Sequence, residues 1–196
     1  MQEAQGDLAG ALKSYQDGLA IIDRLAKSDP GNAGWQRDLS VSYDNVGGMQ
    51  EAQGDLAGAL KSYEADLAIA ERLAKSDSGN ALWQRDLAVS YDRAAQMQEA
   101  QGDLAGALKS YQANLAITDR LAKSDPSNAA WQRDLAVSFG ILANAHKHSG
   151  DKAKARDFLQ QGRAIMARLT KLSPATAQWK QDLSEFDRDI AELAKR

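Results

Sequence analysis

Residues 49–63 read MQEAQGDLAGALKSY, and the same string stands at 1–15 and at 97–111. A second string, WQRDL, begins at Trp35, Trp83 and Trp131, and a relic of it, WKQDL, begins at Trp179. The period is therefore 48. Residues 1–48 and 49–96 agree at 36 of 48 positions, and so do 49–96 and 97–144. The fourth stretch, 145–192, agrees with the third at about a third of its positions but keeps Gly150, Asp151, Ala155, Pro174, Trp179 and Leu183. A fixed period of this length marks an array of supersecondary units.

Each period holds two amphipathic helices. Trp35, Leu39, Ser42, Val46 and Met49 follow one another at alternating spacings of four and three, which puts them on one helical face. Leu56, Leu60, Tyr63, Leu67 and Ala70 do the same for a second helix. Between the two stands Gly54-Asp55, repeated at Gly6-Asp7, Gly102-Asp103 and Gly150-Asp151. Glycine closes a helix in the left-handed region, and aspartate caps the next one. The other junction reads Ser28-Asp29-Pro30-Gly31-Asn32, where proline breaks the helix and Asn32 is the expected N-cap. The helix carrying WQRDL is called first-type below, and the helix after the Gly-Asp turn second-type. Each should run about 20 residues, or about 30 Å.

The expected fold is all-α, an α-solenoid of antiparallel helix pairs with about eight helices. A pair of such helices cannot bury both apolar faces alone, whereas stacked pairs can. The chain reads as a single repeat array over 1–196, with units 1–48, 49–96 and 97–144. A degenerate capping unit over 145–196 would close it. The stripe Trp179, Leu183, Phe186, Ile190 and Leu193 is flanked there by Lys180, Gln181, Asp182, Glu185, Asp187, Arg188, Asp189 and Glu192. Met1 to Gln5 correspond to the last turn of a first-type helix, so the helix after Asp7 is expected to lack one neighbour. The apolar strip left open at this N-terminal end would suit a homodimer.

Composition narrows the function classes. Lys and Arg total 24 against 27 Asp and Glu, a net charge of -3, which argues against nucleic acid as a partner. The absence of cysteine removes disulfides and thiolate chemistry. No apolar run reaches the ~20 residues of a bilayer span, and no signal-peptide pattern opens the chain. A soluble cytoplasmic protein, with no membrane partner, is the expectation. Lys13-Ser14 after Gly6 and Gly10 lacks the spacing and the strand-to-helix context of a phosphate loop. His146 and His148, the only histidines, stand two apart and point to different helix faces. Catalytic residues, metal ligands and cofactors are accordingly expected to be none.

The Gly-Asp turn followed by Ala59-x3-Tyr63 resembles the tetratricopeptide repeat (TPR), whose pattern carries A-x3-F there. Tyr43-x2-Val46-Gly47 is similar to that family's W-x2-L-G, with Tyr91-x2-Ala94-Ala95 and Phe139-x2-Leu142-Ala143 as weaker forms. The family's next aromatic is replaced by Gln50, Gln98 and His146, and its small residue one turn after the aromatic by Gly18, Asp66 and Asn114. The usual repeat has 34 residues. Here each helix reads as about seven residues longer, close to two turns, which keeps the buried stripe aligned. The chain thus resembles a long-helix TPR-like superhelix, similar to tandem arrays in bacterial multidomain proteins, though consensus design would give the same near-identity.

The resemblance implies a non-enzymatic scaffold that binds a protein or peptide in a concave groove lined by first-type helices. The repeats differ most at 44–48, 92–96 and 140–144, in the middle of that helix. By the family's offsets, Asp44, Gly48 and Glu51 would face the groove in one unit, Asp92, Gln96 and Glu99 in the next, then Asn144 and Lys147. Asp44, Glu51, Asp92 and Glu99 would form an acidic column suited to a basic or amphipathic segment. The alternative is a structural or oligomerisation module, a fragment of a longer multidomain protein.

Overall fold

The computed structural model describes residues 7–195. The expectation for Met1 to Gly6 lies outside them. Eight helices follow in order: α1 Leu8–Ser28, α2 Ala33–Ala52, α3 Leu56–Ser76, α4 Ala81–Ala100, α5 Leu104–Ser124, α6 Ala129–His148, α7 Lys152–Leu172 and α8 Ala177–Lys195. No strand occurs among the described residues. None of these helices is long and apolar enough to cross a membrane. Even-numbered helices are first-type and odd-numbered ones second-type.

The punctuation works as the residues dictate. Gly54, Gly102 and Gly150 take φ of +79°, +86° and +83°, the left-handed region that L side chains rarely adopt. The carboxylates of Asp7, Asp55 and Asp151 accept the N–H groups of Gly10, Gly58 and Lys154, capping α1, α3 and α7. Asn32, Asn80 and Asn128 accept from the N–H of Trp35, Trp83 and Trp131 at 3.1–3.2 Å. Lys13, Lys61 and Lys109 lie exposed on helices, and Ser14 returns its hydroxyl to Gly10 O.

The chain divides into two compact units, Met1–Asp103 and Leu104–Arg196. In the first, Ala26, Leu39, Ile69 and Leu73 form a core with Trp35, Tyr43 and Trp83 packed against it. In the second, Ala136, Ala143, Leu159, Met166, Leu169 and Phe186 form the equivalent core, with Trp179 at its edge. The tryptophans are half-buried anchors of these cores.

The WQRDL string ties neighbouring repeats within each unit. Gln36 donates to Ala26 O of the helix before it and accepts from Arg72 of the helix after it, at 3.1 and 2.9 Å. Gln132 bridges Ala122 O and Arg168 in the same way. Arg37 pairs with Asp86 at 2.6 Å, and Arg133 with Asp182 at 2.7 Å. The charged residues of the string thus form bonds between one repeat and the next. Asp182, expected on the polar outer side of α8, is buried for this reason, and it also accepts from Gln178.

The fourth repeat changes its packing in a concerted way. Position 42 of the first repeat is Ser, as are 90 and 138, but 186 is Phe. The space for that ring comes from two glycines. Gly140 stands where Asp44 and Asp92 stand, and Gly162 where Asp66 and Asn114 stand. A Cβ on Gly162 would lie 2.5 Å from the Phe186 ring, and one on Gly140 would lie 3.4 Å from it.

His146 is buried, stacked on Phe158 at 5.5 Å with an interplanar angle of 22°. In the first unit the same two positions hold Gln50 and Ser62, joined by a hydrogen bond of 2.6 Å. The ring pair replaces that polar pair. Nδ1 of His146 has no hydrogen-bond partner, and Asp151 Oδ2 is 3.9 Å away. Burial first, and Lys154 second, lower its pKa against the opposing pull of Asp151. A lowered imidazole pKa means that the fold disfavours the proton. Stability is therefore full above the unfolded-state pKa and falls as pH drops through it. Urea denaturation at pH 7.5 and 5.5 should show His146→Gln gaining stability relative to the wild type as the pH is lowered.

Candidate binding face of the first-type helices

In each unit two first-type helices flank a cleft. Between α2 and α4 it measures about 180 Å³ and is lined by Val41, Val89, Asp44, Asp66, Asp86 and the two serines Ser40 and Ser90. Between α6 and α8 it measures about 190 Å³, with Val137, Ile141, Leu159 and Phe186 as its apolar part and Asn144, Glu185 and Asp189 among its polar part. Val41, Val89 and Val137 occupy one repeat position and are 43%, 49% and 39% exposed. They sit one residue off the buried stripe, so the helical period turns them outward. The sequence alone did not single them out. The available signal was an unchanged apolar residue at an off-stripe position, replaced by Glu185 in the fourth repeat.

Each residue expected at the groove has a definite place. Asp44 lines the first cleft, with its Oδ1 buried and 3.4 Å from Arg93 Nε. Burial raises its pKa, with Arg93 opposing and Glu51 adding to the rise. Glu51 accepts the Tyr63 hydroxyl at 2.9 Å, and the Arg93 guanidinium lies 5.9 Å from the Tyr63 ring centroid. Gly48 is half-buried, and a Cβ there would sit 3.7 Å from that hydroxyl. Gly47 has the closer role, because a Cβ on it would lie 2.7 Å from the Tyr63 ring. Asp92 accepts from Gln96 at 2.8 Å through Oδ2, while its buried Oδ1 has no partner. Burial again raises the pKa, with Gln96 and Arg93 opposing. Glu99 is half-buried on α4. In the second unit Asn144 is exposed beside the cleft, and Lys147 reaches Glu192 at 3.4 Å.

The structure thus brings together Asp44, Glu51, Tyr63 and Arg93. Arg93 enters what the sequence suggested was an uninterrupted acidic column. The carboxylates that line the first cleft are instead Asp44, Asp66 and Asp86. Asp66 is the most buried of them at 4% exposed. It accepts hydrogen bonds from Ser40 and Ser90, and burial pushes its pKa to about 6. Among the described residues no cluster of three or more His, Asp or Glu side chains is arranged to hold a metal ion.

Helices of about 20 residues, paired antiparallel and repeated every 48 residues, define a TPR-like helical-repeat protein, and solved structures bear out that fold. BtubC (BKLC) from P. vanneervenii is similar over 96% of this chain and 83% of that one, with a TM-score of 0.61 and 16% identity. A putative kinesin light chain from Podosopora anserina, described as having nearly identical TPR-like repeats, is similar over 98% of this chain and 90% of that one. Its TM-score is 0.59 and its identity 18%. MamA is similar over 100% and 95%, with a TM-score of 0.51 and 13% identity. No family model and no curated protein matches the chain.

Proposed function

We propose that the chain is a non-enzymatic scaffold that holds a protein segment against its first-type helices. The segment carries aliphatic and cationic side chains. The observation that carries this reading is the exposed valine of each of the first three repeats, set in a cleft whose rim is acidic in both units. Exposed aliphatic groups in a concavity gain by being covered. Surrounding carboxylates select the sign of the partner and speed its arrival more than they add affinity. The TPR-like fold supports the same reading, since stacked helix pairs present extended surfaces suited to binding.

The test is selection from a random peptide library, followed by titration of the enriched peptides. They should be net basic with spaced aliphatic residues, and their affinity should fall as salt is added. The variant Val41→Lys with Val89→Lys changes only exposed positions and should keep wild-type helicity. It should bind such peptides at least about tenfold more weakly, the equivalent of 1.4 kcal/mol. Enrichment of acidic peptides, or unchanged affinity in the variant, would reject the proposal.

A further inference from the structure

α7 differs from the other second-type helices in charge. Over Lys152–Leu172 it carries six Lys and Arg and one acid, Asp157, whereas α3 carries three of each sign. The chain as a whole is acidic, so this positive charge is local. Between α5 and α7 the surface sinks into a cavity of about 430 Å³. Leu135, Ile165 and Pro126 give its wall aliphatic surface, and Lys123, Gln132 and Arg168 give it polar groups.

The polar groups are fixed by their neighbours. Gln132 is 6% exposed and donates to Ala122 O at 2.8 Å, and its Oε1 accepts from the Arg168 guanidinium. Lys123 is neutralised by Asp119, also in the wall, at 2.7 Å. Among the described residues no carboxylate stands within ion-pair distance of Arg168. Gln132 occupies one of its N–H donors, and the others keep the fork geometry that a carboxylate accepts. The cavity thus sets one held, uncompensated cation beside an aliphatic wall.

We infer that this cavity binds a small aliphatic monocarboxylate, with its carboxylate on the Arg168 fork and its chain against Leu135 and Ile165. The volume lies within the range of small-ligand sites. The wall holds aliphatic groups and no aromatic ring, which suits a flexible chain rather than a flat ring. Asp119 offsets Lys123, so the wall presents one net positive charge. A single negative charge matches it, whereas a phosphate dianion would be left partly uncompensated. The surplus bases of α7 raise the local concentration of anions. Because Gln132 already holds Arg168, little side-chain ordering is left to binding. The cavity opens between second-type helices and the valine clefts between first-type helices, so the two readings stand or fall separately.

The first unit carries Asp23, Lys27, Gln36, Leu39, Ile69 and Arg72 at the same repeat positions, so the experiment needs a reporter within this cavity. Isoleucine methyl NMR of the full chain supplies one in Ile165. The probe is octanoate, kept below its micelle concentration. The Ile165 signal should shift to saturation, with an affinity at least about tenfold above that for octanol, which lacks the charge. Arg168→Ala should weaken octanoate at least about tenfold, and Arg168→Lys, which keeps the charge but not the fork, should weaken it less. Ala164→Trp, at an exposed position of the wall, should fill the cavity and abolish the shift while helicity stays unchanged by circular dichroism. Val41→Lys with Val89→Lys should leave the shift as it is. An Ile165 signal that octanoate does not move, equal affinity for octanol, or equal binding by Arg168→Ala and Ala164→Trp would overturn the inference. So would tighter binding of a blocked Leu-Glu-Leu peptide at Ile165, because the carboxylate would then belong to a protein segment.

Discussion

Gly162→Ala should destabilise the second unit by about 2 kcal/mol, although alanine is the better helix former. The added methyl would sit 2.5 Å from two carbons of the Phe186 ring and 3.1 Å from Ala136 O, a backbone atom that cannot swing aside. Phe186 is 8% exposed in the core with Met166, Leu169 and Ala136. Its truncation to Ala should cost about 3–5 kcal/mol, the usual range for a buried phenylalanine. The double variant decides between this account and simple damage. With the ring gone, the methyl added at position 162 enters vacated space, so the two single effects should sum to clearly more than the measured loss. Urea denaturation of the four proteins gives the cycle. Additivity within experimental error would show that the glycine and the ring are not partners.

Asp66→Asn should stabilise the first unit at pH 7, by about 3 kcal/mol at most. Burial raises the carboxyl to about 6 despite hydrogen bonds from Ser40 and Ser90. At pH 7 the folded state therefore holds an ion that the unfolded chain solvates better. The sign follows from linkage. As pH falls through 6, the folded state takes up the proton first, and stability rises until the unfolded carboxylate titrates near 3.8. The advantage of the Asn variant should accordingly be largest at neutral pH and shrink on acidification. The third repeat already carries the neutral form, with Ser138 donating to Asn114 Oδ1 at 2.6 Å and Thr118 donating to Ser138 at 3.0 Å. A variant less stable than wild type at pH 7 would mean that the charge is compensated better than its surroundings suggest. The acid response should thus run in opposite directions at Asp66 and at His146.

Much of the architecture is legible in the sequence because it is local. The 48-residue period, the left-handed glycines and the Asp and Asn caps act over four residues or fewer, and a string shows them directly. The bonds between repeats act over distances no window covers. Arg37 meets Asp86 rather than its neighbour Asp38, and Gln36 serves two other helices at once. The variable positions 44–48 and 140–144 illustrate the same limit. Read alone, they mark a groove. In the folded chain Gly47 gives room to Tyr63 and Gly140 to Phe186, so part of that variation is packing. The candidate site was half legible. Asp44 and Asn144 do line clefts, while Arg93 and the three exposed valines became visible only once the faces were assembled.

Those valines also supply the most direct test of the binding face. The chain has four valines, of which Val41, Val89 and Val137 are exposed and Val46 is 4% exposed in the core. Valine methyl NMR of the labelled protein therefore gives three reporters on the proposed surface and one internal control. On titration with a basic, aliphatic-rich peptide from the library selection, the methyl signals of Val41 and Val89 should shift together to saturation, that of Val137 should also shift to saturation in its own cleft, and Val46 should stay fixed. Saturable binding that leaves all three unmoved would place the partner elsewhere on the molecule and contradict the account.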